Sequence, residues 1–208
     1  MATKKKGKKT SKPAKARKKI VTKKPASKKA PSRKPAASAK PAPKASAHNP
    51  WKAYAEQLAT EMATTLKVMR AYPADQAAFQ PHPRSGSAHQ LFHTFGIEQE
   101  IALKAVKGTL TMPPNFPPPP ATLAECISAF EKSAAAVVAA ARAAKAEDHA
   151  RTLPMFTGPG TMGQVPAGAI AGLMLADQIH HRGQLSVYLR MAGGNVPSIY
   201  GPSADEPW

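Results

Sequence analysis

The basic residues of this chain are segregated, and that segregation decides which part of it can fold. Residues 1–50 carry 16 lysines together with Arg17 and Arg33, and no acidic residue. Residues 51–208 hold 12 basic and 12 acidic side chains, so the formal charge of +18 belongs entirely to the N-terminal stretch. That stretch is built mostly of Lys, Ala, Pro and Ser, with Ile20 and Val21 as its large apolar residues after Met1. So little apolar surface cannot offset the entropy of ordering a chain. Recurrent prolines from Pro13 to Pro43 also break any helix. The sequence therefore predicts a disordered, Lys/Ala/Pro-rich tail over residues 1–48 and a folded domain over residues 49–208.

A flexible polycation releases condensed counterions when it meets DNA or RNA, so the tail is expected to bind nucleic acid without sequence preference and with steep salt dependence. The cations assigned to that task are Lys4, Lys5, Lys6, Lys8, Lys9, Arg17, Lys18, Lys19, Lys23, Lys24, Lys28, Lys29, Arg33 and Lys34. No aromatic residue lies among them, so base stacking is not available. The KKP, AKP and RKP units resemble, in composition, the C-terminal tails of linker histones and their bacterial counterparts. Another polyanion, or no dedicated partner at all, stays open at this point. The basic start is not followed by an apolar segment, so it does not read as a secretory signal. It is Lys-rich rather than amphipathic and Arg-rich, so it does not read as a transit peptide.

The remainder reads as four helices. Asn49-Pro50 is an N-cap followed by proline at the first helical position. Leu58, Met62, Leu66 and Met69 then recur at helical spacing, and the helix stops before Pro73. A second helix begins near Ser85–Ser87 and ends at Gly108. A Pro-rich connection follows, and then Thr122-Leu-Ala-Glu125, a capping box, opens an Ala-rich third helix. A Gly- and Pro-containing stretch leads to a fourth helix from Pro166 to about Ala192, stopped by Gly193-Gly194. With few strand signals, the fold class is all-α, an up-and-down-type four-helix bundle. The single cysteine, Cys126, excludes an intrachain disulfide and suits a reducing, cytoplasmic setting. No apolar run of 18 residues exists, so no membrane helix is expected.

The fourth helix carries the densest polar cluster. Its inward stripe is read as Ile170, Met174, Asp177, His181, then Gln184 or Leu185, then Tyr188. A carboxylate and an imidazole one turn apart, Asp177 and His181, can chelate one divalent ion. His180 is the rival ligand. On the second helix the stripe is read as His89, His93, Ile97 and Glu100, and His93 supplies the third ligand of a 2-His-1-carboxylate set with open positions. The bland alternatives are a hydrogen-bonded core histidine at 93 and an ion pair between Asp177 and Arg182 or another cation. His82 reads as a turn residue, His149 as solvated and Cys126 as buried filler.

The stretch HHRGQLSVYLRMAGGNVPSIYGPSADE (180–206) resembles the C-terminal signature of the DinB/YfiT-like superfamily, and PHPRSGSAHQLFHTFGIEQ (81–99) is similar to that family's second-helix segment. The resemblance spans about residues 50–206. It implies a four-helix bundle with a divalent metal on three ligands, usually histidines, one on the second helix and an H-x-x-x-H pair on the last. His93 and His181 take the first and last places, and the middle place falls on Asp177. Carboxylate in place of imidazole suits Zn, Ni, Fe or Mn and shifts preference toward harder ions. The resemblance further implies thiol-dependent transfer or hydrolysis, with a low-molecular-weight thiol as partner and Arg182, Gln184 and Tyr188 as candidates for orienting substrate. A cytoplasmic, nucleoid-associated location follows from the tail, and a homodimer is one assembly open to the bundle. The competing reading is a nucleic-acid-associated structural or stress-response protein whose bundle is a non-catalytic oligomerisation or sensing module.

Overall fold

The computed structural model describes residues 48–207. The expected tail, with every cation assigned to nucleic acid, lies outside the described residues. Four helices form where the caps and stops predict them. Helix α1 spans Pro50–Ala71, α2 Ala88–Lys107, α3 Leu123–Ala143 and α4 Ala167–Met191. The Asn49 side chain accepts from the Trp51 N–H at 3.0 Å. Its amide also donates to the Ala144 carbonyl at 2.9 Å, tying the start of α1 to the end of α3. Capping boxes open α2 (Ser87 with Gln90) and α3 (Thr122 with Glu125). Helix α2 ends on Gly108 in the left-handed region, φ 71°, where a side chain would also collide with the Arg151 guanidinium.

One element departs from expectation. The stretch before α4 is an antiparallel hairpin, β1 (Thr152–Gly158) with β2 (Thr161–Pro166), in which Leu153 faces Val165 and Met155 faces Gly163. Prolines 154, 159 and 166 obscure it in the sequence. In a two-stranded ribbon both strands are edges, so a missing N–H can face away from the ladder. His149, expected to be solvated, is instead packed edge-on against the Trp51 ring, centroids 4.9 Å apart.

The packing order also differs from a meander. Helix α2 packs against α3 and α4, and α1 packs against α3 and α4, so α1 and α2 lie across the bundle's diagonal. Short loops force sequential neighbours together. The connections over 72–87 and 144–166 are long enough to cross an end of the bundle.

The core is centred on Trp51, Phe92, Phe95, Phe130, Leu185 and Leu189. The α1 stripe read in sequence holds at Leu58, Met62 and Met69, with Thr65 rather than Leu66 facing in, whereas the α2 stripe and the polar part of the α4 stripe are turned by about one residue. On α2 the inner face is Phe92, Phe95, Glu98, Gln99 and Ala102. On α4 it is Met174, Gln178, Arg182 and Leu185, with Asp177 and His181 at its edge. Thr65, Gln99 and Gln178, which the sequence stripes leave out, bond one another inside, although Gln99 Oε1 has no partner among the described residues. Gln99 Nε2 donates to Gln178 Oε1 at 2.5 Å, and Gln178 Nε2 donates to Thr65 Oγ1 at 3.2 Å. Buried amides are tolerated when so paired.

Candidate metal centre

Phe95 and Glu98 lie three residues apart on α2, so the aromatic stripe that builds the core carries a carboxylate in with it. Glu98 is 2% exposed. Its Oε1 sits 2.5 Å from His181 Nδ1 on α4, and its Oε2 is buried with no hydrogen-bond partner. Asp177, one turn before His181, places Oδ1 3.9 Å from the same ring nitrogen. One ligand atom from each of Glu98, Asp177 and His181 lies within 4.8 Å of the others. The Phe95 ring stands perpendicular to the His181 ring at 6.4 Å and meets Phe130 at 5.8 Å and 67°, closing the inner side with hydrocarbon. Asp177, half-exposed, forms the solvent side.

The electrostatics follow from that asymmetry. Burial pushes the Glu98 carboxyl up to about 9, and the Asp177 charge adds in the same direction. Burial holds His181 below the ordinary histidine value. Asp177 opposes that shift and His180 reinforces it. Near neutral pH, Glu98 is therefore a neutral acid beside a neutral imidazole, with one proton between them. A divalent cation is the natural replacement for that proton, because it also partners the orphaned Oε2. Two carboxylates and one imidazole suit Zn, Mn, Fe or Ni.

Two of the three ligands read from sequence, Asp177 and His181, are brought together here. His93 is not with them. It precedes Glu98 by five residues, about 140° round the helix, and lines a cleft between α2 and α3. Glu98 takes the place on α2 that the sequence reading gave to His93. The signal for it was present: Phe92, Phe95, Gln99 and Ala102 recur at 3, 4 and 3, and Glu98 falls within that stripe. His180, the rival ligand, faces outward and pairs with Gln184, nitrogen to nitrogen at 2.9 Å.

The other candidates have partners elsewhere. Arg182 is 1% exposed. It meets Glu61 of α1 at 2.7 Å, donates to the Glu61 carbonyl and Thr65 Oγ1, and bonds the Tyr200 hydroxyl. It pairs with Glu61, not Asp177. Tyr188 donates to the Gly86 carbonyl at 3.1 Å and packs on Phe79, pinning the loop between α1 and α2.

A family model described as DinB family matches residues 46–207. The chain belongs to the DinB family. Two solved DinB-like proteins share the fold. The DinB-like protein YjoA of Bacillus subtilis has a TM-score of 0.57 and 18% identity over 71% of this chain and 96% of that one. A DinB-like protein of Bacillus cereus ATCC 10987 has a TM-score of 0.56 and 20% identity over 71% and 95%. Among curated proteins, the chain is 46% identical over 43 residues to the "Uncharacterized protein YrdA" of Bacillus subtilis (strain 168). That match spans 21% of this chain and about a quarter (26%) of the relative's length. Within this DinB bundle no helix among the described residues is long and apolar enough to cross a membrane.

Proposed function

We propose that this DinB-family bundle is a divalent-metal-dependent enzyme of the transferase or hydrolase type, with the metal held by Glu98, Asp177 and His181, and that the basic N-terminal stretch tethers it to nucleic acid. The observation that carries the reading is the buried Glu98 carboxylate. One of its oxygens bonds His181, the other has no partner, and a second carboxylate lies within ligand distance. Orphaned buried carboxylate oxygens are rare because they cost free energy. A cation at that point removes the cost. A bound divalent ion would supply Lewis acidity that lowers the pKa of a water or low-molecular-weight thiol.

The chain's own residues do the rest. Glu98 gives up its proton when the ion enters. Phe95 holds the His181 ring and keeps water from the inner side. Asp177 stands at the open side, from which substrate arrives.

Metal analysis of untagged protein tests the centre. Uptake of one Zn, Ni, Mn or Fe per chain, lost in Glu98→Gln and His181→Ala, supports it. Protein that takes up none of the added ions sinks it. Titration of thiol-transfer and ester-hydrolysis substrates against metal-loaded protein then tests the enzyme reading. Duplex DNA and RNA binding by the full chain and by residues 49–208 tests the tether.

A further inference from the structure

On the side of α2 away from Glu98, residues read as core from sequence instead line a cleft of about 260 Å³. Its floor is Phe92, His93, Gly96 and Ile97 of α2 with Cys126, Ala129 and Ser133 of α3. Its roof is Phe116, Pro117, Pro118 and Pro120, from the segment joining these helices. We propose that this cleft is a second binding site, for an uncharged aromatic molecule of one or two rings bearing a single O–H or N–H donor.

Three observations carry it. The first is Gly96. It sits mid-helix, where glycine is less favourable than alanine by about 1 kcal/mol. A Cβ added there would meet nothing within 4 Å, and its backbone has no positive φ. Neither packing nor conformation requires glycine, and its effect is to leave the cleft floor open. The second is the roof. Prolines lose little entropy on ordering, and His89 Nε2 donates to the Pro120 carbonyl at 2.7 Å, so the roof is held in place without a ligand. Proline and phenylalanine faces offer C–H and π surface but no N–H, which favours a flat ring.

The third is the polar edge. His93 makes no side-chain hydrogen bond among the described residues, and the Glu100 carboxylate, paired with Lys104 at 3.1 Å, lines the same cleft two turns further along α2. Burial and the nearby His89 hold His93 below its ordinary value, so it presents a neutral imidazole. Both groups can accept from a ligand donor, and the carboxylate disfavours an anion. Neither Glu98, Asp177 nor His181 lines this cleft, so it is a site apart from the candidate metal centre.

The probe is 1-naphthylamine, whose fluorescence shifts to the blue on leaving water. The full chain is expected to bind it saturably, and to bind naphthalene-1-sulfonate about tenfold or more weakly, the loss expected from a missing donor and an opposed charge. Gly96→Phe, which fills the cleft from α2, and Ala129→Phe, which fills it from α3, are expected to abolish the shift while the helical circular dichroism is kept. Gly96→Ala and Glu98→Gln are expected to retain it, the latter separating this site from the metal centre. Absence of saturable binding, equal binding of the sulfonate, or binding that survives in a folded filling variant overturns the proposal.

Discussion

The protonated Glu98 gives the metal-free protein a pH dependence that can be worked out in advance. In the unfolded chain a glutamate is ionised above about pH 4.5, whereas Glu98 in the fold keeps its proton up to about 9. Between those values the folded state binds one more proton than the unfolded state, so stability falls as pH rises. The limiting slope is about 1.4 kcal/mol per pH unit. From pH 7 to 8.5 this amounts to about 2 kcal/mol. The window sits above the ordinary histidine value, so His93 and His181, both held low, do not contribute. Glu98→Gln keeps the shape and removes the proton, so most of the slope should be lost in that variant, leaving only the small contribution near pH 8.5 of Cys126, whose thiol burial also pushes up. Urea unfolding in the presence of a chelator, at pH 7, 7.75 and 8.5, measures it. With saturating Zn the slope cancels for the wild type, because Glu98 is then ionised in both the folded and the unfolded chain. The ion must displace the proton, so its affinity should rise about tenfold per pH unit across the same window. Equal slopes in the wild type and Glu98→Gln would refute the assignment of a buried neutral acid, and with it the argument that the carboxylate awaits a cation.

Other outcomes follow from the same geometry. His93→Ala should retain full metal stoichiometry while Asp177→Asn lowers affinity and His181→Ala abolishes uptake, as read by elemental analysis after gel filtration. Arg182→Met should destabilise the bundle by about 3–5 kcal/mol in urea unfolding, because it leaves the Glu61 carboxylate without its cation. Arg182→Lys should recover only part of this, since one ammonium cannot replace a guanidinium that reaches Glu61, Thr65 and Tyr200 together. Removal of residues 1–48 should flatten the salt dependence of duplex DNA binding, which in the full chain steepens by about 0.9 log units per phosphate neutralised. An unchanged slope after truncation would assign binding to the bundle.

How much of this was legible in the chain depends on the kind of signal. The helix ends were, because Asn49, Ser87, Thr122 and Gly108 act through local hydrogen bonds and local φ that neighbouring residues reveal. The hairpin was not, because Pro154, Pro159 and Gly160 are read as breakers unless the strands are known to be edges. The inner faces were legible where apolar residues mark them, at Leu58, Met62 and Met69 of α1 and at Ile170, Met174 and Leu185 of α4, and were misplaced where polar residues complete them. Thr65, Gln99, Gln178 and Arg182 find their partners on other helices, and no local pattern displays those pairings. The approach of Asp177 to His181 was legible because both candidate ligands lie on one helix. Glu98 was missed because its partner is 83 residues away and a nearer histidine, His93, matched the expected chemistry better.

The ladder from Thr65 through Gln178 to Gln99 has a consequence for the two helices that carry the candidate ligands. Apolar surfaces are forgiving, and one greased cylinder can slip along another with little change in contact. Directed hydrogen bonds act like teeth on a rack. A slip of α4 by one turn, about 5.4 Å, would strip Gln178 of both neighbours and draw Arg182 off Glu61 at the same time. The heights of α2 and α4 are thereby indexed to each other at Gln99 and Gln178. Each of those residues is the immediate neighbour of a ligand, Glu98 and Asp177. The alignment of Glu98, Asp177 and His181 is thus set by uncharged groups that lie outside that cluster.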